Sequence, residues 1–370
     1  MQQLARQGYT RQQIVDALHA SNRSLSFRYD LLDATNQYMG DVSEYVRAAS
    51  VANNALADII KRTARFEIND DGSIDYLSDR IKPFVRLKMP GAGYAEFAQG
   101  VFLLSTPPRA LTSTGSVVRA VSAYDLLQVV KDDCVDTRYT VAAGTNYVVA
   151  VKALLDSAGV TAQNLTATTK TLPVARDWEP GTSKLAIINA LLSALNYRSL
   201  TFDEHGTAVA APYLSPTDAA SEYLYVVDNK SVIFPEASEL IDLFDVPNKW
   251  VLTVSDAERA VLTSTYTNAN ANSPTSTVRR GRTITRFETT DAADQATLDA
   301  KVARMAFESS QVFAKIEFET LIMPFHADAD VYTVEIPDLG VSDKYAEHTW
   351  SFDLKAGARM KHLVRKVVTL

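Results

Sequence analysis

The chain has 370 residues, a formal net charge of −7, 46% apolar and 22% charged side chains. At roughly 150 residues per domain this length suits two or three domains, and the apolar fraction supports folded cores. The acidic balance excludes a nucleic-acid-coating role, which needs concentrated Lys and Arg, and the single cysteine, Cys134, excludes an internal disulfide framework and a cysteine-rich zinc site.

No apolar run approaches the ~20 residues that span a bilayer, and the opening residues 1–7 lack an apolar signal core. Folding in a reducing cytoplasm is the expectation, with Cys134 as a small, partly buried side chain. Residues 1–22 read as a helical arm. Thr10 and Gln13 have capping-box spacing, and Ile14, Val15 and Leu18 share one helical face. A helix of about ten residues is marginal alone, so the arm should dock on the rest of the chain. Its wording resembles the opening of a helix-turn-helix, but no basic recognition helix follows.

Residues 23–135 read as a first β domain. Phe27, Tyr29 and Leu31 alternate with Ser26, Arg28 and Asp30, and Ala64, Phe66 and Ile68 alternate with Thr63, Arg65 and Glu67. Strands are expected at 25–32, 59–68, 84–89, 97–105 and 117–123, with a turn at Pro90, Gly91 and Gly93. A short helix or turn at 124–131 leads out. Residues 136–215 change to helical period: helices at 145–158, stopped by Gly159, and at 182–196, then a hairpin around 203–206. This is a small α/β insert. Residues 216–370 return to strands at 224–227, 250–254, 261–266 and 283–287, with a long helix at 291–311. Strands at 312–321 and 331–336 and a C-terminal hairpin (348–354 and 360–370) complete a second β domain. The stretch 243–255, with Trp250, Leu252 and Val254 inward, reads as its core and as a second copy of the 59–68 strand. The fold class is therefore α+β, mainly β: two antiparallel barrel or sandwich domains flanking a small α/β domain.

Several clusters have residue types that could carry chemistry. Asp177 and Glu179 flank Trp178, as paired acids flank a sugar in glycosidases, but an acidic turn before Pro180-Gly181 explains them better. His326, Asp328 and Asp330 offer oxygen and imidazole ligands for a divalent ion; with no fourth ligand nearby, a polar inter-strand loop is preferred. Gly91-Ala92-Gly93 opens no phosphate loop, and no nucleophile-elbow or His-Glu-x-x-His motif occurs. Arg279, Arg280 and Arg282, followed by Arg286, form the one dense basic patch: a solvated loop or a contact for an acidic partner, with 267–274 as an arm. Trp250 and Trp350 sit on apolar strand faces and read as core; Trp178 has no such context. No catalytic, cofactor or metal residue is assigned.

The order of segments and several phrases resemble the baseplate or tail-tip hub proteins of tailed bacteriophages, in particular minor tail proteins of long flexible-tailed phages infecting actinobacteria. The phrases are Ser26-Phe27-Arg28-Tyr29-Asp30-Leu31-Leu32-Asp33, Leu77-Ser78-Asp79-Arg80-Ile81-Lys82-Pro83, Gly100-Val101-Phe102-Leu103-Leu104-Ser105-Thr106-Pro107, Trp178-Glu179-Pro180-Gly181-Thr182-Ser183-Lys184, Asp245-Val246-Pro247-Asn248-Lys249-Trp250 and Thr349-Trp350-Ser351-Phe352-Asp353-Leu354-Lys355. The resemblance implies a non-enzymatic homotrimer whose two tail-tube-like domains per chain make a pseudo-hexameric ring. Such a ring closes the tail tube, lines the DNA channel, and docks the distal tail ring, the tape measure C-terminus and fibre or receptor-binding proteins. It implies a virion tail-tip location after assembly in the host cytoplasm, with DNA only in transit and no membrane insertion. Because the chain stops soon after the final hairpin, a lytic extension is expected on another protein. The alternatives are a tail-associated cell-wall hydrolase and a carbohydrate- or receptor-binding tail module.

Overall fold

The computed structural model describes every residue except Asp58, Thr114, Asp242, Asp256, Ala257, Val312, Phe313 and Thr369, and every side chain except these and residues 239–241 and 314. The arm forms as its sequence directs. Thr10 Oγ1 accepts from Gln13 N at 3.3 Å and Gln13 Oε1 accepts from Thr10 N at 2.8 Å, which starts the helix Arg11–His19. Ile14 and Leu18 are fully buried in the main core. Burial of this face supplies the stability that so short a helix lacks.

The β segments on either side of the insert share one 15-stranded sheet. Its main path runs Ile233–Ile241, Ala314–Leu321, Arg359–Lys366, Val341–Asp353, Val46–Asn54, Arg62–Asn69, Val117–Asp125, Phe102–Leu104, Arg80–Lys88, Leu25–Leu32 and Tyr38–Asp41. The seam between the segments is the antiparallel pairing of Val341–Asp353 with Val46–Asn54, Thr349 opposite Asn54 and Asp353 opposite Ser50. One apolar cluster crosses the seam, from Phe66 and Val51 to Trp350 and Phe352. The mainly β reading holds, with large antiparallel sheets. Among the described residues, no helix is long and apolar enough to cross a membrane.

The strand Val46–Asn54 has no clear alternation in the sequence. Its inward positions are Ala49, Val51 and Asn53, and small side chains leave little hydrophobic contrast to read. Ile233–Ile241 was hidden by Pro235, Glu236 and Glu239; it is the terminal strand of the path, where proline is tolerated. The expected strand at 97–105 is two strands, Tyr94–Ala98 and Phe102–Leu104. Between them Gly100 has φ +127°, and a Cβ there would stand 3.0 Å from Arg62 Cδ and Phe102 Cζ. The strand expected at 312–321 is observed as Ala314–Leu321; Val312 and Phe313 lie outside the described residues.

The stretch 243–255 departs from its expected role. Lys249–Val254 lies outside the large sheet and pairs antiparallel with Leu262–Thr267 and parallel with Thr285–Thr289. The helix Gln295–Gln311 covers this small sheet through Leu298, Val302 and Ala306, giving a separate core around Trp250. Its neighbours therefore differ from those of Arg62–Asn69, which is paired on both sides within the large sheet. Alternation reports that one face is buried, not which layer buries it.

The insert follows its periodicity. Tyr147–Ser157 begins at Asn146, whose Oδ1 accepts from Val148 N and Val149 N at 2.9 and 3.2 Å. Gly159, at φ +76°, allows the left-handed exit. Lys184–Ala194 starts from Ser183, and the hairpin is Thr201–Phe202 with Ala208–Ala210. These elements enclose their own core, including Val151, Leu155, Ile188 and Leu192.

Asp125 stands where the large sheet leads out towards the insert. Its carboxylate accepts from Arg62 N at 2.9 Å and Leu127 N at 3.1 Å, where Val117–Asp125 gives way to the helix Leu127–Asp132. Burial pushes its pKa up to about 6, against the opposing pull of those amides. A raised carboxyl pKa means that the folded state binds more protons than the unfolded state between about 4 and about 6. Stability from this group is thus greatest below pH 4 and declines as pH rises through that window. Replacing Asp125 with Asn should remove a decline on the order of 3 kcal/mol. Denaturant unfolding across the window checks this: wild-type and variant curves running parallel with pH would discard the assignment.

Candidate functional site

The densest group of buried ionisable side chains lies where the final hairpin meets the segment after Ala314–Leu321. His326 and Asp330 come from that segment, Glu347 from Val341–Asp353 and His362 from Arg359–Lys366, and all are buried. Glu347 sits between the two imidazoles: Oε2 is 2.6 Å from His326 Nδ1, and Oε1 is 2.9 Å from His362 Nδ1. Asp330 Oδ2 is 3.2 Å from His326 Nδ1 and accepts from Ala327 N at 2.9 Å. The outer ring nitrogens meet hydroxyls, His326 Nε2 with Tyr225 at 2.6 Å and His362 Nε2 with Thr320 at 2.9 Å. Tyr225, Phe325, Tyr332 and Phe318 wall the cluster. The Met1 nitrogen reaches Asp330 Oδ1 at 2.7 Å.

Electrostatics follow from this enclosure. Burial opposes a charge on His326, but Glu347 and Asp330 outweigh it and hold the pKa up, at about 9. Burial would raise Asp330; its hydrogen bond to His326 and the nearby positive charges outweigh that and hold it at about 2. Glu347 is lowered against its burial by the two histidines, whereas burial prevails at His362 and lowers it. Residues 326–330 lie in the connection between Ala314–Leu321 and Val331–Ile336, as preferred, and His326 and Asp330 turn inward from it into an internal ion network. Asp328 separates from the other two and faces Lys61 at 3.4 Å.

The sequence carried a signal for the missed members. On Arg359–Lys366, Met360 and Val364 point inward, and His362 occupies the inward position between them. On Val341–Asp353, Glu347 shares the inward phase of Val341 and Tyr345; an irregularity between Glu347 and Thr349 then passes that phase to Trp350 and Phe352. A charged residue in the buried phase needs a partner.

The other candidates scatter. Asp177 lies on Arg176–Trp178, bound by Arg138 at 2.6 Å and Thr140 at 2.5 Å, and these bonds hold its pKa below the usual carboxylate range. That is opposite to what a proton-donating carboxyl requires. Glu179 is exposed beyond the strand end, and Trp178 packs at 6.2 Å from Tyr139 on the partner strand. Trp250 and Trp350 are core residues. Cys134 is exposed, not partly buried, because it sits in a surface bridge with Ser183.

The basic patch is largely spent on its own chain. Arg280 donates to the carbonyls of Val246 at 2.7 Å and Phe244 at 2.9 Å, and also contacts that of Leu243. Arg282 donates to Phe244 O at 2.8 Å and lies over the Phe244 ring. Arg279 is exposed at the end of the short helix Thr277–Arg280. The preceding loop is a packed knot rather than an arm. Asn268 Nδ2 donates to Ser273 Oγ at 2.8 Å, and Asn248 Nδ2 donates to Thr275 O at 3.1 Å.

No protein-family model and no curated protein matches the sequence. Solved structures do match. A tail protein from Neisseria meningitidis MC58 superposes with TM-score 0.63 at 12% identity, over 92% of this chain and 97% of that one. The 43 kDa tail protein of prophage MuSo2 from Shewanella oneidensis gives 0.58 at 10%, over 92% and 98%. The prophage tail protein gp18 from Listeria monocytogenes EGD-e gives 0.55 at 12%, over 92% and 95%. Across nearly its whole length, the chain has the fold of these tail proteins.

Proposed function

We propose that the chain is a structural hub of a bacteriophage tail tip, acting as a trimer that closes the tail tube and forms part of the DNA channel. The observation carrying this reading is the match to tail proteins over 92% of the chain and almost all of each neighbour. In this reading residues 23–135 and 216–370 are two tube-like halves, residues 136–215 are the insert between them, and the distal tail ring, tape measure and fibre proteins dock on the assembled ring. The sheet supports it physically. Its path ends in Tyr38–Asp41 at one side and Ile233–Ile241 at the other. Such strands present backbone groups that must be covered or paired. Tyr38 and Met39, 63% and 56% exposed, add apolar surface at one end. Different surfaces at the two ends suit head-to-tail contacts, which close into a ring when the rotation permits. Mass measurement in solution should give three times the 40.6 kDa of one chain, and particles imaged at the tail tip should show a three-fold ring. A stable monomer that is absent from particles would defeat the reading.

A further inference from the structure

We propose that His326, Glu347 and His362 are a buried binding site for one divalent transition-metal ion of the zinc class, which staples the final hairpin to the segment after Ala314–Leu321. The ligand atoms of these residues lie within 4.8 Å of one another. Two imidazole nitrogens and a carboxylate oxygen form a donor set that suits zinc and its neighbours rather than calcium or magnesium, which prefer all-oxygen sites. The outer atoms are arranged for the same purpose. Each Nε2 is held by a hydroxyl, of Tyr225 or of Thr320, so each Nδ1 faces Glu347. Hydrogen bonding on the far ring nitrogen is how proteins orient a metal-binding histidine.

A second observation points to an occupant. His326 Nδ1 and Glu347 Oε2 are both buried and stand 2.6 Å apart, close but misaligned for a hydrogen bond between them. A buried pair that is poorly aligned is incompletely satisfied, and one ion can serve the ring nitrogen and the carboxylate together. Zinc–ligand bonds of about 2.0–2.1 Å hold neighbouring ligand atoms roughly 3.3 Å apart, so coordination opens the His326–Glu347 contact slightly. Binding displaces the Nδ1 protons of both histidines to solvent, and Glu347 enters as carboxylate. Three protein ligands leave one position, and Tyr332, 5.5 Å from the His326 ring between centroids, borders the same space. The site's full enclosure makes it structural, loaded as the chain folds.

The test uses the full chain. Protein purified without chelator should carry about one zinc per chain. Protein unfolded in EDTA and refolded with Co²⁺ should show the visible absorption of tetrahedrally bound cobalt, whereas Glu347→Gln refolded the same way should not. Should that variant fail to fold, the wild-type cobalt spectrum and the loss of thermal stability after refolding in EDTA decide. Wild-type chain that refolds in EDTA to its full melting temperature and shows no cobalt band would overturn the proposal. A folded Glu347→Gln protein that keeps the band would overturn it too.

Discussion

Trp350→Ala is expected to destabilise the large sheet by about 3–5 kcal/mol, and to do so on both sides of its seam. Trp350 is 1% exposed, stacks on Phe352, and faces Asn53 on one neighbouring strand and His362 on the other. Its indole Nε1 donates to Ala327 O at 2.9 Å, anchoring the segment that carries His326. Truncation leaves a cavity beside Phe352 and Arg62, and an orphaned carbonyl adds about 1 kcal/mol or more. Total stabilities run at about 5–15 kcal/mol, so the loss is a large share of the whole. Trp350→Phe, which keeps much of the volume but not the N–H, should cost about half as much. Denaturant unfolding measures the size, and hydrogen exchange measures the reach. Loss of protection confined to Val341–Asp353 and Arg359–Lys366, with Val46–Asn54 and Arg62–Asn69 unchanged, would show that the seam is not a cooperative joint.

Much of the fold was legible because local patterns agree with tertiary burial. Leu25–Leu32 and Val331–Ile336 occur at their expected bounds, and Thr10, Asn146 and Ser183 cap helices through side-chain oxygens. What was not legible is the assignment of strands to layers. Pairing between Val46–Asn54 and Val341–Asp353 joins residues nearly three hundred positions apart, and no local period encodes a partner at that distance. The strand around Trp250 shows the converse: its alternation is strong, yet its core is built with Leu298 and Val302 of one helix rather than with the large sheet.

The buried cluster was legible by halves. His326 and Asp330 stand out in sequence because they are close together, and Asp328 looks equivalent to them. Only the turn of the chain separates the three, sending Asp328 to Lys61 and the others inward. Glu347 and His362 are each a single polar residue in an apolar phase, and such an exception becomes a site only when another strand supplies its partner. Arg280 and Arg282 fail in the opposite way. A run of arginines reads as a surface for others, but the carbonyls of Leu243, Phe244 and Val246 in a nearby turn take up their donors.

Trp250→Ala should remove a similar amount of stability, about 3–5 kcal/mol, from a much smaller unit. Trp250 is fully buried, and its Nε1 donates to Ser309 Oγ at 2.8 Å, linking the strand Lys249–Val254 to the helix Gln295–Gln311. Among the described residues, the buried cluster around it comprises Leu252, Val254, Ala292, Leu298, Val302 and Ala306 besides the tryptophan. Small cores bury too little apolar surface to absorb such a loss. The three-stranded sheet and its helix should therefore open locally, below the free energy of global unfolding, while the large sheet stays closed. Hydrogen exchange should show protection lost across Lys249–Val254, Leu262–Thr267 and Gln295–Gln311 and retained across Arg62–Asn69 and Val117–Asp125. Trp350→Ala makes the opposite forecast for Arg62–Asn69, so the pair of variants distinguishes two cooperative units from one. Equal loss of protection in Arg62–Asn69 in both variants would mean that the Trp250 unit is an integral part of the large sheet's fold.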